Sequence, residues 1–90
     1  WGVPITEIQK GIQAGVRKIN VDTDNRLAMT AAIRKVLAED PEEFDLRKYM
    51  GPARDGMQKI CEERMKQFRQ AGHAADIPHV SLEEMAKRYK

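Results

Sequence analysis

One cysteine in 90 residues leaves Cys61 without a partner for an internal disulfide, and aromatic residues make up only 6% of the chain. A disulfide-stapled secreted scaffold is thereby excluded, and Cys61 reads as a reduced, packed thiol. Long apolar runs are missing as well. Nothing approaches the ~20 residues that a bilayer crossing needs, and no signal-peptide pattern opens the chain. An excess of one charge is also absent. Sixteen basic residues face 14 acidic ones, interleaved rather than blocked, for a formal charge of +2. That balance creates no field that calls for nucleic acid or an anionic membrane. The composition fits a cytoplasmic protein with no membrane or nucleic-acid partner. Neither internal repeats nor low-complexity tracts occur. The chain opens at Trp1 without an initiator Met, so a segment of a longer protein is expected.

What is present is mostly helical periodicity. Pro4 suits a first helical turn, where its missing N–H costs nothing. Ile5, Ile8 and Ile12 follow at helical spacing, and Gly15 suits the left-handed position that ends a helix. Arg17-Lys18-Ile19-Asn20-Val21-Asp22 instead alternates at period two. A strand there would set Ile19 and Val21 on one face and Lys18, Asn20 and Asp22 on the other. Thr23, Asp24 and Asn25 are all suitable N-caps for a second helix, whose stripe is Met29, Ile33, Val36 and Leu37. Pro41 stops that helix near Asp40.

Beyond it, Asp45 is expected to cap a short helix ended by Gly51. Pro52 then opens a longer one, with Ala53, Met57, Ile60, Cys61, Met65 and Phe68 as its stripe and Gly72 as its end. Ser81 and Glu84 form a capping box for a last helix, with Val80 and Met85 at staple spacing. A lone strand has open edges and no pairing partner, so the pattern implies a sheet that these residues do not contain.

The chemistry-bearing stretch is Asn20-Val21-Asp22-Thr23-Asp24. Polar residues at the carboxyl end of a strand, entering a helix, stand where α/β proteins place ligands. The helix start offers unpaired N–H groups and partial positive charge, which suit phosphate. The same residues also serve as ordinary caps, and acidic side chains do not welcome a phosphate, so its contacts would come from backbone N–H groups. Elsewhere the signals are plainer. His73 and His79 lie in a loop without metal-ligand spacing and read as surface histidines. Arg54, Lys59, Arg64, Lys66 and Arg69 alternate with acidic residues as a solvated face.

Several of these motifs carry a resemblance. Trp1-Gly2-Val3-Pro4 and Gly15-Val16-Arg17-Lys18-Ile19-Asn20-Val21-Asp22-Thr23-Asp24 resemble class II fructose-bisphosphate aldolases around their last barrel strand. The likeness continues through Arg26-Leu27-Ala28, Ala32-Ile33-Arg34, Phe44-Asp45-Leu46-Arg47-Lys48-Tyr49 and Ala71-Gly72-His73-Ala74. It ends at Ser81-Leu82-Glu83-Glu84-Met85-Ala86-Lys87-Arg88-Tyr89, and it is strongest with the subgroup that includes Calvin-cycle aldolases. Leu46 departs from it, because the family pattern has proline there; leucine loosens the local backbone at that helix start.

The resemblance implies an α/β fold, a (β/α)8 TIM barrel of typically ~250 residues. Residues 1–40 would be its last helix–strand–helix, and residues 41–90 a C-terminal helical arm in subunit contact, so that this span is mostly α. It also implies a zinc lyase that reversibly splits fructose 1,6-bisphosphate into dihydroxyacetone phosphate and glyceraldehyde 3-phosphate, in glycolysis, gluconeogenesis or the Calvin cycle. The zinc ligands and the acid/base carboxylate of that family lie upstream, so the isolated segment would be inactive, with no catalytic residue and no metal ligand. Asn20 would bind the triose or its enediolate. Asp22 and Thr23 would lie at the C1 phosphate, and Arg47 would reach a neighbouring subunit's C6 phosphate in a homo-oligomer, dimer or tetramer. The alternatives are a tagatose-bisphosphate aldolase and a non-enzymatic helical module whose long amphipathic helix docks in a partner groove.

Overall fold

The computed structural model describes residues 2–89, so Trp1 of the opening motif lies outside the described residues. Among the described residues four α-helices appear in order: α1 Ile5–Gln13, α2 Thr23–Glu39, α3 Leu46–Gln67 and α4 Leu82–Arg88, with one 3-10 turn at Ala74–Asp76 before α4. No strand forms among the described residues. The strand expected over residues 17–22 is absent because a strand exists only through hydrogen bonds to a neighbour. Its side-chain alternation nevertheless survives. Ile19 and Val21 are half-buried, whereas Lys18, Asn20 and Asp22 are exposed.

Local chemistry sets most helix ends. Pro4 is the N-cap of α1, one position before the first turn. At the other end Gly15 takes φ +115°, a conformation that a side chain would strain. The Gly15 N–H bonds to the Ile12 carbonyl at 3.1 Å and the Val16 N–H to the Gly11 carbonyl at 2.9 Å. This paired closure satisfies two end carbonyls. Asp40 ends α2 ahead of Pro41. Asp45 and Ser81 cap α3 and α4, accepting the N–H groups of Arg47 and Glu84 at 3.0 and 3.2 Å. Val80 and Met85, at staple spacing around Ser81, are both half-buried.

Two expected breaks are absent. Gly51 and Pro52 do not divide the segment, and α3 runs through both for 22 residues. Pro52 lacks an N–H, so the Lys48 carbonyl loses its ordinary donor, a destabilising interruption. Packing just beyond it explains why the helix survives. Ala53 is fully buried. A Cβ on Gly56 would lie 3.3 Å from the Ala28 carbonyl oxygen and 3.8 Å from the Ala32 Cβ. Small residues on both helices thus let α2 and α3 approach closely. The second correction concerns the end of α3. Gly72 does not close it; Phe68 is the C-cap, and Arg69 takes the left-handed conformation at φ 61°. The Gln70 N–H reaches the Met65 carbonyl at 2.8 Å, and the Arg69 N–H that of Lys66 at 3.1 Å. Phe68 is thereby turned inward and buried.

The α2–α3 pair is the main packing in the chain. The helices run antiparallel: Gly56 meets Ala28, Cys61 meets Asn25, and Arg64 meets Asp24. α1 is tied to the end of α3 by one bond, from Gln9 Nε2 to the Gln67 carbonyl at 3.0 Å. The whole is open. Its radius of gyration is 18.2 Å, against about 12 Å for a compact domain of this length. Large apolar side chains stay exposed along the helices, among them Leu27, Met50, Met57 and Met65.

Two stability effects follow. Arg69→Gly removes the side chain from a left-handed position and should stabilise the chain by about 0.5–1 kcal/mol in a denaturant titration followed by far-UV dichroism. An unchanged or lower midpoint would show that the Arg69 side chain contributes more than its backbone costs. In a double-mutant cycle of Asp24→Asn and Arg64→Gln, the coupling should reach about 1.5–3 kcal/mol, typical of a hydrogen bond to a charged group. A solvated surface pair would give only ~0.2–1 kcal/mol.

Candidate functional site

Asn20, Asp22 and Thr23 come together in a cleft of about 240 Å³ at the N-terminus of α2. Val3, Ile5 and Ile8 supply one apolar wall, and Phe68 another. Ile19 and Val21 turn toward the helices, which leaves the polar members of the alternation facing outward. Lys18 Nζ lies 2.5 Å from Asn20 Oδ1. An ammonium only donates, so Oδ1 is the acceptor, and the Asn20 amide has its two N–H donors left for a ligand.

The start of α2 differs from that of α3 and α4 in its capping. Asp22 is the N-cap residue, yet its carboxylate makes no cap bond. It is instead taken by Arg26 Nε at 2.9 Å, one turn along. The first backbone N–H with a helical partner is that of Arg26, bonded to the Asp22 carbonyl at 3.1 Å. The N–H groups of Thr23, Asp24 and Asn25 therefore have no protein acceptor among the described residues. Three unpaired N–H groups with the positive end of the helix dipole favour an anion.

The two carboxylates beside them are both neutralised by arginine. Asp22 pairs with Arg26, and Asp24 pairs with Arg64 of α3. This corrects the reading of Arg64 as part of a solvated face. Its side chain and that of Asp24 are each only 23% exposed, and its other terminal nitrogen bonds Gln67 Oε1. Sequence reasoning missed this pair because the two residues stand 40 positions apart. The available signal was that Arg64 lies next to the apolar stripe, one residue before Met65.

Arg47 lies outside this cleft. Its guanidinium grips Asp45 through Nε, at 3.0 and 3.2 Å from the two carboxylate oxygens, and through Nη2 at 2.7 Å from Oδ2. Arg47 is 89% exposed at its side chain and Asp45 29%. The Arg47 fork and then its backbone N–H hold the Asp45 carboxyl below the usual carboxylate range. The same fork contact raises the Arg47 guanidinium. The structure thus brings three of the four candidate residues together and sets the fourth apart. His73 makes a 3.0 Å contact with Asp76 at an exposed position. Cys61 is half-buried, its sulfur 3.9 Å from Asn25 Oδ1.

No group of three or more His, Cys, Asp or Glu side chains among the described residues is arranged to hold a metal ion. The residues described here therefore do not fit a zinc site. None of the described helices is long and apolar enough to cross a membrane.

Residues 1–73 match the family described as fructose-bisphosphate aldolase class-II. The chain is 56% identical over 89 residues to a fructose-bisphosphate aldolase of Nostoc commune, a match covering 99% of the chain and 25% of that relative. It is 55% identical to a fructose-bisphosphate aldolase of Xanthobacter flavus over the same shares. With fructose-bisphosphate aldolase 2 of Rhodobacter capsulatus the identity is 46%, over 99% of the chain and 78% of the relative. The chain spans about a quarter of the length of most of these relatives. The match runs along nearly the whole chain, which belongs to the class II fructose-bisphosphate aldolase family.

Proposed function

We propose that the protein carrying this chain is an aldolase that reversibly cleaves fructose 1,6-bisphosphate to dihydroxyacetone phosphate and glyceraldehyde 3-phosphate, with this segment supplying substrate contacts. The observation that carries the reading is the cleft at the start of α2. There the Asn20 amide, Thr23 and Asp24 line one cleft, at a helix start whose first three N–H groups have no protein acceptor among the described residues. Residues 1–40 close a (β/α)8 barrel, and residues 41–90 form an arm that meets another subunit of a homo-oligomer. The open shape and exposed apolar side chains support this, since such surface is stable in water mainly when another surface covers it. Ile19 and Val21 keep the burial of a strand whose pairing partners are supplied from elsewhere in the barrel. The zinc of the class II reaction, with its histidine and carboxylate ligands, belongs to the remainder of the protein. The setting is cytoplasmic sugar-phosphate metabolism.

In this reading the segment binds and orients. The C1 phosphate sits on the N–H groups of Thr23, Asp24 and Asn25, with the Thr23 hydroxyl beside it. Asp22 and Asp24, each held on an arginine, frame the phosphate without repelling it strongly. The Asn20 amide donates to a triose oxygen. That contact gains strength as negative charge develops there, so it lowers the barrier more than it aids ground-state binding. Arg47 reaches the C6 phosphate in a neighbouring subunit's site, where its planar fork matches two phosphate oxygens.

Mixed oligomers of the full-length protein test this arrangement. Asn20→Ala should lower kcat with little loss of stability. Arg47→Ala should lower kcat/KM for the bisphosphate about 10- to 150-fold. Subunits bearing only Asn20→Ala, mixed with subunits bearing only Arg47→Ala, should regain part of the activity. One site then holds an intact Asn20 and a neighbour's intact Arg47. If labelled subunits exchange and activity stays at the level of the single variants, Arg47 does not act across the boundary.

A further inference from the structure

We infer that Asp45 is a positioning residue for Arg47, holding one edge of its guanidinium so that the other edge faces a phosphate monoester. The inference rests on the reading of Arg47 as a phosphate ligand and adds to it the device that aims the side chain. An arginine on a helix surface ordinarily samples many rotamers, and fixing it at the moment of binding costs free energy. Here the cost is met beforehand. Nε and Nη2 are both committed to the Asp45 carboxylate, and the same carboxylate accepts the Arg47 backbone N–H. Backbone and side chain of one residue are therefore clamped by one group. Asp45 is itself braced, because its backbone N–H donates to Glu43 Oε1 at 2.9 Å.

The guanidinium has two edges that can each bind an oxyanion bidentately. With Nε and Nη2 on Asp45, the edge formed by Nη1 and the second hydrogen of Nη2 has no protein partner among the described residues. Its 89% exposure, against 29% for Asp45, means that the clamp lies on the protein side and the open edge on the solvent side. A dianionic phosphate outcompetes water for such an edge. The carboxylate remains where it is, and Arg47 bridges the two anions. Lys48, adjacent in sequence, adds positive charge near the carboxylate.

The test uses the full-length enzyme and two substrates: fructose 1,6-bisphosphate and fructose 1-phosphate, which lacks the distal phosphate. Asp45→Asn keeps an oxygen to cap α3 but loses the charge that holds the fork. It should raise KM for the bisphosphate roughly tenfold while leaving KM for the monophosphate unchanged. Asp45→Ser, which also keeps a capping oxygen, should behave the same way, and both variants should retain wild-type far-UV dichroism. In an Arg47→Ala background the Asp45→Asn change should have no further effect on the bisphosphate. An unchanged bisphosphate KM would overturn the proposal. A lower one would also do so, because it would mean that Asp45 competes with the phosphate. Equal losses for both substrates would assign Asp45 a merely structural role and overturn it as well. If Arg47→Ala itself does not separate the two substrates, the fault lies with the reading of Arg47 rather than with the clamp.

Discussion

The close crossing of α2 and α3 is the constraint on which the candidate site depends. At Gly56 the helices leave no room for a side chain to enter without displacing the Ala28 carbonyl, and Ala53 beside it is fully buried. Dispersion contacts at this separation are individually small but numerous, and the backbones can approach only because the facing residues are small. From that point the antiparallel register carries forward. Two turns along α3, Arg64 arrives opposite Asp24, and one turn later Phe68 arrives under Ile19 and Val21. The cleft thus has a floor and a fixed edge because a glycine lies well away from it on the same helix.

Much of the local structure was legible in the sequence because it depends on residues near in the chain. Gly15, Asp40 before Pro41, Asp45 and Ser81 end or begin helices through bonds to backbone groups only a few positions away. The exceptions are instructive in physical terms. Gly51-Pro52 carries a strong breaking signal, yet the burial of Ala53 and the close approach of Gly56 to α2 offset the lost hydrogen bond, and neither is visible to any local pattern. Arg69 takes a conformation that sequence logic reserves for glycine. What favours it is the burial of Phe68 one residue earlier, again a tertiary effect.

The candidate site divides along the same line. Asn20, Asp22 and Thr23 were legible as a group because an alternating segment that runs into a helix start needs only local reasoning. In the structure they line one cleft. The neutralisation of Asp24 by Arg64 was not legible, since charge periodicity on α3 alone points to a solvated face. The period-two segment itself sits between the two cases. Its inward and outward faces are set by hydrophobicity and appear in the burial pattern. Its ladder requires other strands, and hydrophobic alternation cannot supply those.

The two anchoring arrangements in the chain respond to perturbation in different ways. The α2 N-terminus is held by a long-range pair, so loosening the helix crossing moves Asp24 and with it the unpaired N–H groups at the helix start. Arg47 is held by a residue two positions away, at the cap of its own helix, and needs no tertiary contact to keep its orientation. In the proposed role of Arg47 at a boundary between subunits, that independence is an advantage. It can be aimed before the partner arrives, and its geometry does not depend on how tightly its own core is packed. In the proposed reading, the residues bound to a triose require a rigid scaffold, whereas a residue that bridges to a distal phosphate requires only a local clamp and a free edge.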